Sequence, residues 1–225
     1  MRLIHQALSN ALILVVIMMS TNINAGSTQD DTAMYLDAVR RGDLDKVQRY
    51  IDQGIIVDIR DGSDRTALLL ATHENHIKIA ELLIRSGADV NARDDINDTP
   101  YLYAGAEGRL EILRMTVAAG ADLARVNRYG GTALIPAAHH GHVETVKYLL
   151  TTKTDIDHVN FLGWTALLEA VILGDGGEAH QSIVELLLRA GANPHIADTE
   201  GVTALEHARQ RKQKAVIRLL EQHTE

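Results

Sequence analysis

The sequence predicts an all-α solenoid, a stack of helix-turn-helix units joined by β-hairpin-like fingers, and two observations carry that prediction. A frame of the form Gly-x-Thr-Ala-Leu, clearest in Gly163-Trp164-Thr165-Ala166-Leu167, recurs in modified form at Thr66, Thr99, Thr132, Thr165 and Thr203, with spacings of 33, 33, 33 and 38 residues. A second signature follows it, as in Glu81-Leu82-Leu83-Ile84-Arg85-Ser86-Gly87-Ala88-Asp89-Val90-Asn91 and Glu185-Leu186-Leu187-Leu188-Arg189-Ala190-Gly191-Ala192-Asn193. Self-similarity at a fixed period marks a chain of supersecondary units that each pack only against their neighbours.

Each position in the unit has a physical reason. Thr is a favoured N-cap, and the residue after it, Ala67, Pro100, Ala133, Ala166 or Ala204, suits the first helical position. A short helix therefore starts at each Thr. Small residues such as Ala104-Gly105 and Ala137-Ala138 let neighbouring first helices stack closely, while Leu149, Leu150 and their counterparts fill the layer behind. Gly87, Gly120 and Gly191 stand where the second helix needs a residue of positive φ to stop it. Two residues before each Thr stand Asp64, Asn97, Gly130, Gly163 and Gly201, types that tolerate the positive φ of a tight finger turn.

These motifs resemble those of the ankyrin-repeat family, whose period is 33 residues, and most of the repeat region is similar to a group of exported bacterial ankyrin-repeat proteins. The resemblance implies a partner protein held by the finger tips and the exposed side of the first helices. The units read as a cap repeat over 33–60, full repeats over 61–93, 94–126, 127–159 and 160–197, and a C-terminal cap repeat over 198–225. The fourth full repeat carries an insertion at 175–179, inside the Gly-rich acidic stretch 174–182. Loop insertions in solenoids are thermodynamically cheap and often functional.

Residues 1–25 differ in kind from the rest. A weakly basic start, an apolar run from Ala11 to Met19 and a small residue at Ala25 read as a secretory signal peptide, too short to span a membrane. Residues 26–32 read as a disordered leader. The expected location is periplasmic or secreted, with no membrane span after cleavage; loss of Arg2 takes the net charge from -8 to -9. Such acidity argues against nucleic acid and would steer the protein to an exported, basic partner. The chain has no Cys, which fits an oxidising compartment.

Catalytic templates are absent: there is no Gly-x-Ser-x-Gly elbow, phosphate loop, HExxH pair or Cys nucleophile, so the chain reads as non-catalytic, without a cofactor. Glu169 and Asp175 are candidates for a carboxylate pair in acid–base work, but the repeat register explains Glu169 as a helix residue. The positions left free by the register are apolar in the fourth repeat, at Phe161, Leu162, Trp164, Ile172 and Leu173, and are rimmed by Arg128 and Tyr129. These seven residues are the candidate partner site, on the concave face of the third to fifth repeats, because Trp, Tyr and Arg dominate binding hot spots. The competing reading packs Trp164, Phe161 and Leu173 under the insertion as a local cluster. An alternative function is metal binding or stress protection by His140, Asp175, Glu178 and His180, and another is inhibition of one exported enzyme. Nothing in the sequence fixes the oligomeric state.

Overall fold

A computed structural model describes residues 29–223, built of helices and turns with two isolated antiparallel bridges. The proposed signal peptide lies outside the described residues. Twelve helices follow in pairs: α1 Gln29–Arg40 and α2 Leu44–Asp52; α3 Ala67–His73 and α4 Ile77–Arg85; α5 Pro100–Ala106 and α6 Leu110–Ala118; α7 Leu134–His139 and α8 Val143–Leu149; α9 Ala166–Ile172 and α10 Glu178–Arg189; α11 Ala204–Gln210 and α12 Lys214–Glu221. The chain is an all-α solenoid. One apolar layer runs through it from Tyr35 and Val39 to Val216 and Leu220. The expected disordered leader is corrected at its end, since residues 29–32 form the first turn of α1, with Asp30 and Asp31 favourably placed at the helix N-terminus.

The fingers are closed by one repeated arrangement. Five residues before each Thr stands Asp61, Asp94, Asn127, Asn160 or Asp198, whose side-chain oxygen accepts two backbone N–H groups from across the turn. For Asn160 these donors are Leu162 N and Trp164 N, both at 3.0 Å. The same residue donates its own backbone N–H four residues on, as from Asn160 to the Trp164 carbonyl at 3.0 Å. Asp64, Asn97, Gly130, Gly163 and Gly201 all take positive φ between these bonds. Antiparallel bridges join Arg60 to Thr66 and Ala197 to Thr203, so the hairpin character is strongest in the first and last fingers.

Thr66, Thr99, Thr165 and Thr203 accept the N–H three residues on through their side-chain oxygens, as N-caps do. Thr132 does not. In the other four repeats the Thr carbonyl accepts from the residue four positions on: Leu70, Tyr103, Glu169 or His207. In the third repeat that residue is Pro136, which has no N–H. Ile135 N turns instead to the Thr132 carbonyl at 3.2 Å, and the buried Thr132 hydroxyl is left without a partner. The helix starts one residue late, at Leu134.

The insertion is partly helical. Glu178–Arg189 has 12 residues where the corresponding α4 and α6 have 9, so the extra residues add a turn to α10 and leave a short loop before it. That loop is tied down: Asp175 accepts from Gly177 N at 2.8 Å, and Gln213 donates to the Val171 carbonyl at 3.1 Å.

Two substitutions test the packing. At Gly105 an added Cβ would stand 2.7 Å from the Cβ of Ala133, so Gly105→Ala should lower stability by about 1–3 kcal/mol in urea denaturation, against a helix-propensity gain of about 1 kcal/mol. Thr132→Val removes an unpaired buried hydroxyl at nearly constant volume and should raise stability by about 1 kcal/mol in the same measurement.

Candidate functional site

The first helices and fingers of the first four full repeats enclose a concave cavity of about 530 Å³. Its floor is built from helix positions four, seven and eight after the Thr of the second and third repeats, with Glu169 and Leu173 from the fourth and His73 from the first. Pro136 holds the fourth position in the third repeat, as Tyr103 and Glu169 do in the repeats on either side, and all three line the cavity. Finger residues Ile96, Asp98, Arg128, Tyr129 and Leu162 form the opposite wall.

The charges inside are unusual. Glu169 is 7% exposed, and its Oε1 accepts from Asn160 Nδ2 at 2.8 Å. Burial pushes its pKa up from 4.5 to about 6, against the lowering effects of the Asn160 hydrogen bond and of His140. His139 Nδ1 stands 3.8 Å from Oε2, beyond hydrogen-bond reach, and burial, His140 and His180 hold this imidazole's pKa below its ordinary value. Asp98 is also raised to about 6, by burial and by Asp94, with Arg128 at 3.6 Å opposing the shift. Arg128 in turn lies over the Tyr129 ring, 4.8 Å from its centroid. At the N-terminal end His73 stacks on Tyr103 at 3.7 Å, its pKa lowered by burial and by Arg65, and its Nε2 is buried without a partner.

Of the seven residues expected at a partner site, Arg128, Tyr129, Leu162 and Leu173 line this cavity. Tyr129, Leu162 and Leu173 are exposed apolar groups at its mouth. Phe161 is 78% exposed but does not line it: the ring covers Gly130, where a Cβ would come within 2.5 Å, and Phe161 N donates to the Tyr129 carbonyl at 2.9 Å. It ties the fourth finger to the third. Trp164 and Ile172 are half-buried against the core. The fifth repeat contributes no lining residue, and the second contributes Ile96, Asp98, Tyr103, Ala106 and Glu107, so the cavity sits further toward the N-terminus than the apolar positions alone implied.

The four metal candidates divide. His180 sits with Nδ1 2.8 Å from Asp175 and Nε2 2.9 Å from the His139 carbonyl, so both nitrogens face oxygen acceptors. His140 turns Nδ1 to the Ala106 carbonyl at 2.7 Å. Glu178 opens α10 in its first turn. Among the described residues no group of three or more His, Asp or Glu side chains is placed to hold an ion. The residue that sequence reasoning set aside is Glu169, and the sequence signal for it is a carboxylate at a ladder position occupied by Leu70, Tyr103 and Pro136 in the preceding repeats.

Residues 4–94 and 101–198 match the family described as ankyrin repeats, in three copies. The chain belongs to the ankyrin-repeat family. Ankyrin repeats are interaction modules that bind other proteins. The chain is 53% identical to an ankyrin repeat domain from Acinetobacter baumannii AYE, over 84% of this chain and 97% of that one, with a TM-score of 0.82. The ankyrin repeat protein EF0377 is similar at 44% identity over 84% and 96%, TM-score 0.81. The ankyrin repeat domain of Bcl-3, described as a unique member of the IkappaB family, gives 30% over 84% and 85%, TM-score 0.75. A segment of 52 residues is 50% identical to the putative ankyrin repeat protein YahD of Escherichia coli K12, a match spanning 23% of this chain and 26% of that protein. Among the described residues no helix is long and apolar enough to cross a membrane.

The raised acids of this ankyrin stack leave a pH signature. Glu169 binds its proton more tightly folded than unfolded, so its contribution to stability is fully present below about pH 4.5 and is lost as the pH rises to about 6. The loss is on the order of 1–2 kcal/mol. Glu169→Gln, which keeps an acceptor for Asn160, should match the parent in thermal unfolding at pH 4 and exceed it in Tm at pH 7.5.

Proposed function

We propose that this chain is a non-catalytic protein-binding module, exported to the periplasm, that docks an exported partner on the concave face of its fingers and first helices. The observation that carries the reading is the open cavity bordered by Tyr129, Leu162 and Leu173, three apolar side chains exposed together at its mouth. Solenoid packing has no use for them there, and apolar groups around a concave, partly polar floor are the usual form of a docking surface. Arg128, stacked on Tyr129 and paired with Asp98, supplies an ordered polar edge. The net charge of -8 favours a basic partner, with association weakening as salt rises. The export part rests on the composition of residues 1–25 alone.

Two experiments check the two parts. Capture from a periplasmic fraction, read by mass spectrometry, should yield a protein that the double variant Tyr129→Ala, Leu162→Asp loses by roughly thirty-fold, with Tm unchanged. Retention of that protein by the variant sinks docking at this face. Intact mass of the protein isolated from periplasm should begin at Gly26, and a full-length species confined to the cytoplasm overturns export.

A further inference from the structure

The cavity holds a buried carboxylate, Glu169, with no Lys or Arg beside it among the described residues, and the first and fifth repeats show the contrast. Two finger carboxylates elsewhere meet a basic group, while Asp94, buried in the second repeat, accepts the Ile96 and Asp98 amides. In the first full repeat Asp61 meets Arg40 at 2.7 Å and Arg65 at 2.8 Å, and burial notwithstanding these bonds and the Ser63 and Arg65 amides draw its pKa down to about 2. In the fifth, Asp198 on the finger meets His207 on the helix at 2.7 Å. The fourth repeat uses the same two positions with the chemistry reversed: the finger residue is the neutral Asn160 and the helix residue is Glu169. The basic group facing it is His139, with Nδ1 3.8 Å from Oε2 and its pKa held below the ordinary value by burial. Arg128 is the one Lys or Arg lining the cavity among the described residues, and it is already engaged by Asp98 and Tyr129.

Glu169 is more than nine-tenths buried and lines the cavity, and its second oxygen, Oε2, faces His139 Nδ1 at 3.8 Å, beyond hydrogen-bond reach. A buried acid in that state is stabilised when a cation arrives, because the desolvation of the carboxylate has already occurred in the free protein. The apolar mouth accommodates the methylene stem that long basic side chains carry beneath their charge.

We propose that the cavity is the receptor for a lysine or arginine side chain of the partner protein, projecting from an extended segment past Tyr129 and Leu162 to reach Glu169 Oε2. The assignment rests on the docking reading above and adds its chemical key. Glu169 selects the charge, Tyr129, Leu162 and Leu173 hold the stem and its neighbours, and Pro136 lines the same cavity. The net negative charge of the chain brings a basic segment to the same face.

The test uses four peptides, acetyl-Ala-Leu-Xaa-Leu-Ala-amide with Xaa as arginine, lysine, citrulline or norleucine, and spermidine as a free cation. Binding is read from the methyl NMR shifts of Leu162 and Leu173 at pH 7.5. The arginine or lysine peptide should bind at least roughly ten-fold tighter than both neutral ones. Glu169→Gln should abolish that preference, and Glu107→Gln, at another acid lining the cavity, should retain it. The assignment is overturned if the neutral peptides bind as well as the basic ones, if the preference survives Glu169→Gln, or if spermidine binds as tightly as the peptides, which would mark a polyamine site. Equal binding by all four peptides leaves docking standing and removes only the charge key. No shift with any peptide, in protein of unchanged Tm, removes the pocket as a receptor, and docking is then judged separately by capture with the Tyr129→Ala, Leu162→Asp variant.

Discussion

A single side-chain oxygen, five residues before each Thr, governs how this chain presents its surface. By accepting two amides across a turn it fixes the finger as a closed unit, and with the Thr cap three bonds set the angle between finger and first helix. Everything exposed on the concave side is placed by that angle. Because Asp and Asn both accept in this way, the position can change charge without changing geometry, and this freedom separates the first and fifth repeats from the third and fourth. Asp61 and Asp198 are each met by a basic group; where the acceptor is Asn127 or Asn160 the adjoining helix position carries Pro136 or Glu169.

Both of these residues line the cavity. Pro136 forfeits a backbone bond and leaves the Thr132 hydroxyl unpaired, and Glu169 keeps a carboxylate out of water with the Asn160 amide as its hydrogen-bond partner. Both choices lower stability, and both fall on the floor of the same concave space. Local departures from an otherwise consistent frame are expected where a surface is used rather than merely folded. The neighbouring repeats supply the compensation, since α5 and α9 pack against α7 with small, fully buried residues at Ala104, Ala137, Ala138 and Ala170.

The repeat architecture was legible because its signals are local: the Thr caps, the glycines of positive φ and the finger turns can each be read from residue type and spacing. The turn acceptor was equally local yet passed unread, its five copies divided between two residue types. The cavity was legible only in part. Arg128, Tyr129, Leu162 and Leu173 stand out as residues the frame does not require, but Phe161 and Trp164 stand out for the same reason, and periodicity cannot tell a side chain that covers a neighbouring glycine or rests on the core from one that faces open space. Glu169 was hidden by a different effect. A carboxylate on a short amphipathic helix is ordinarily solvated, and here it is held by Asn160 of its own finger and faced by His139 from the preceding repeat, a juxtaposition that residue type alone does not signal. The insertion was read as a loop from its glycines, whereas the residues that follow them extend α10.

The ties between neighbouring repeats bear on how the concave face responds to load. At the junction of the second and third repeats the fingers are joined by Arg128 and Asp98, and the helix ends by His140 and the Ala106 carbonyl. At the next junction Phe161 N joins the fingers to the Tyr129 carbonyl, and His180 joins the helix ends to the His139 carbonyl. Each junction is thus pinned along both of its edges, so bending the array in either direction stretches a bond on one side or the other. A long solenoid can act as a spring; these two junctions, tied at finger and helix end alike, hold the concave face to a set gauge.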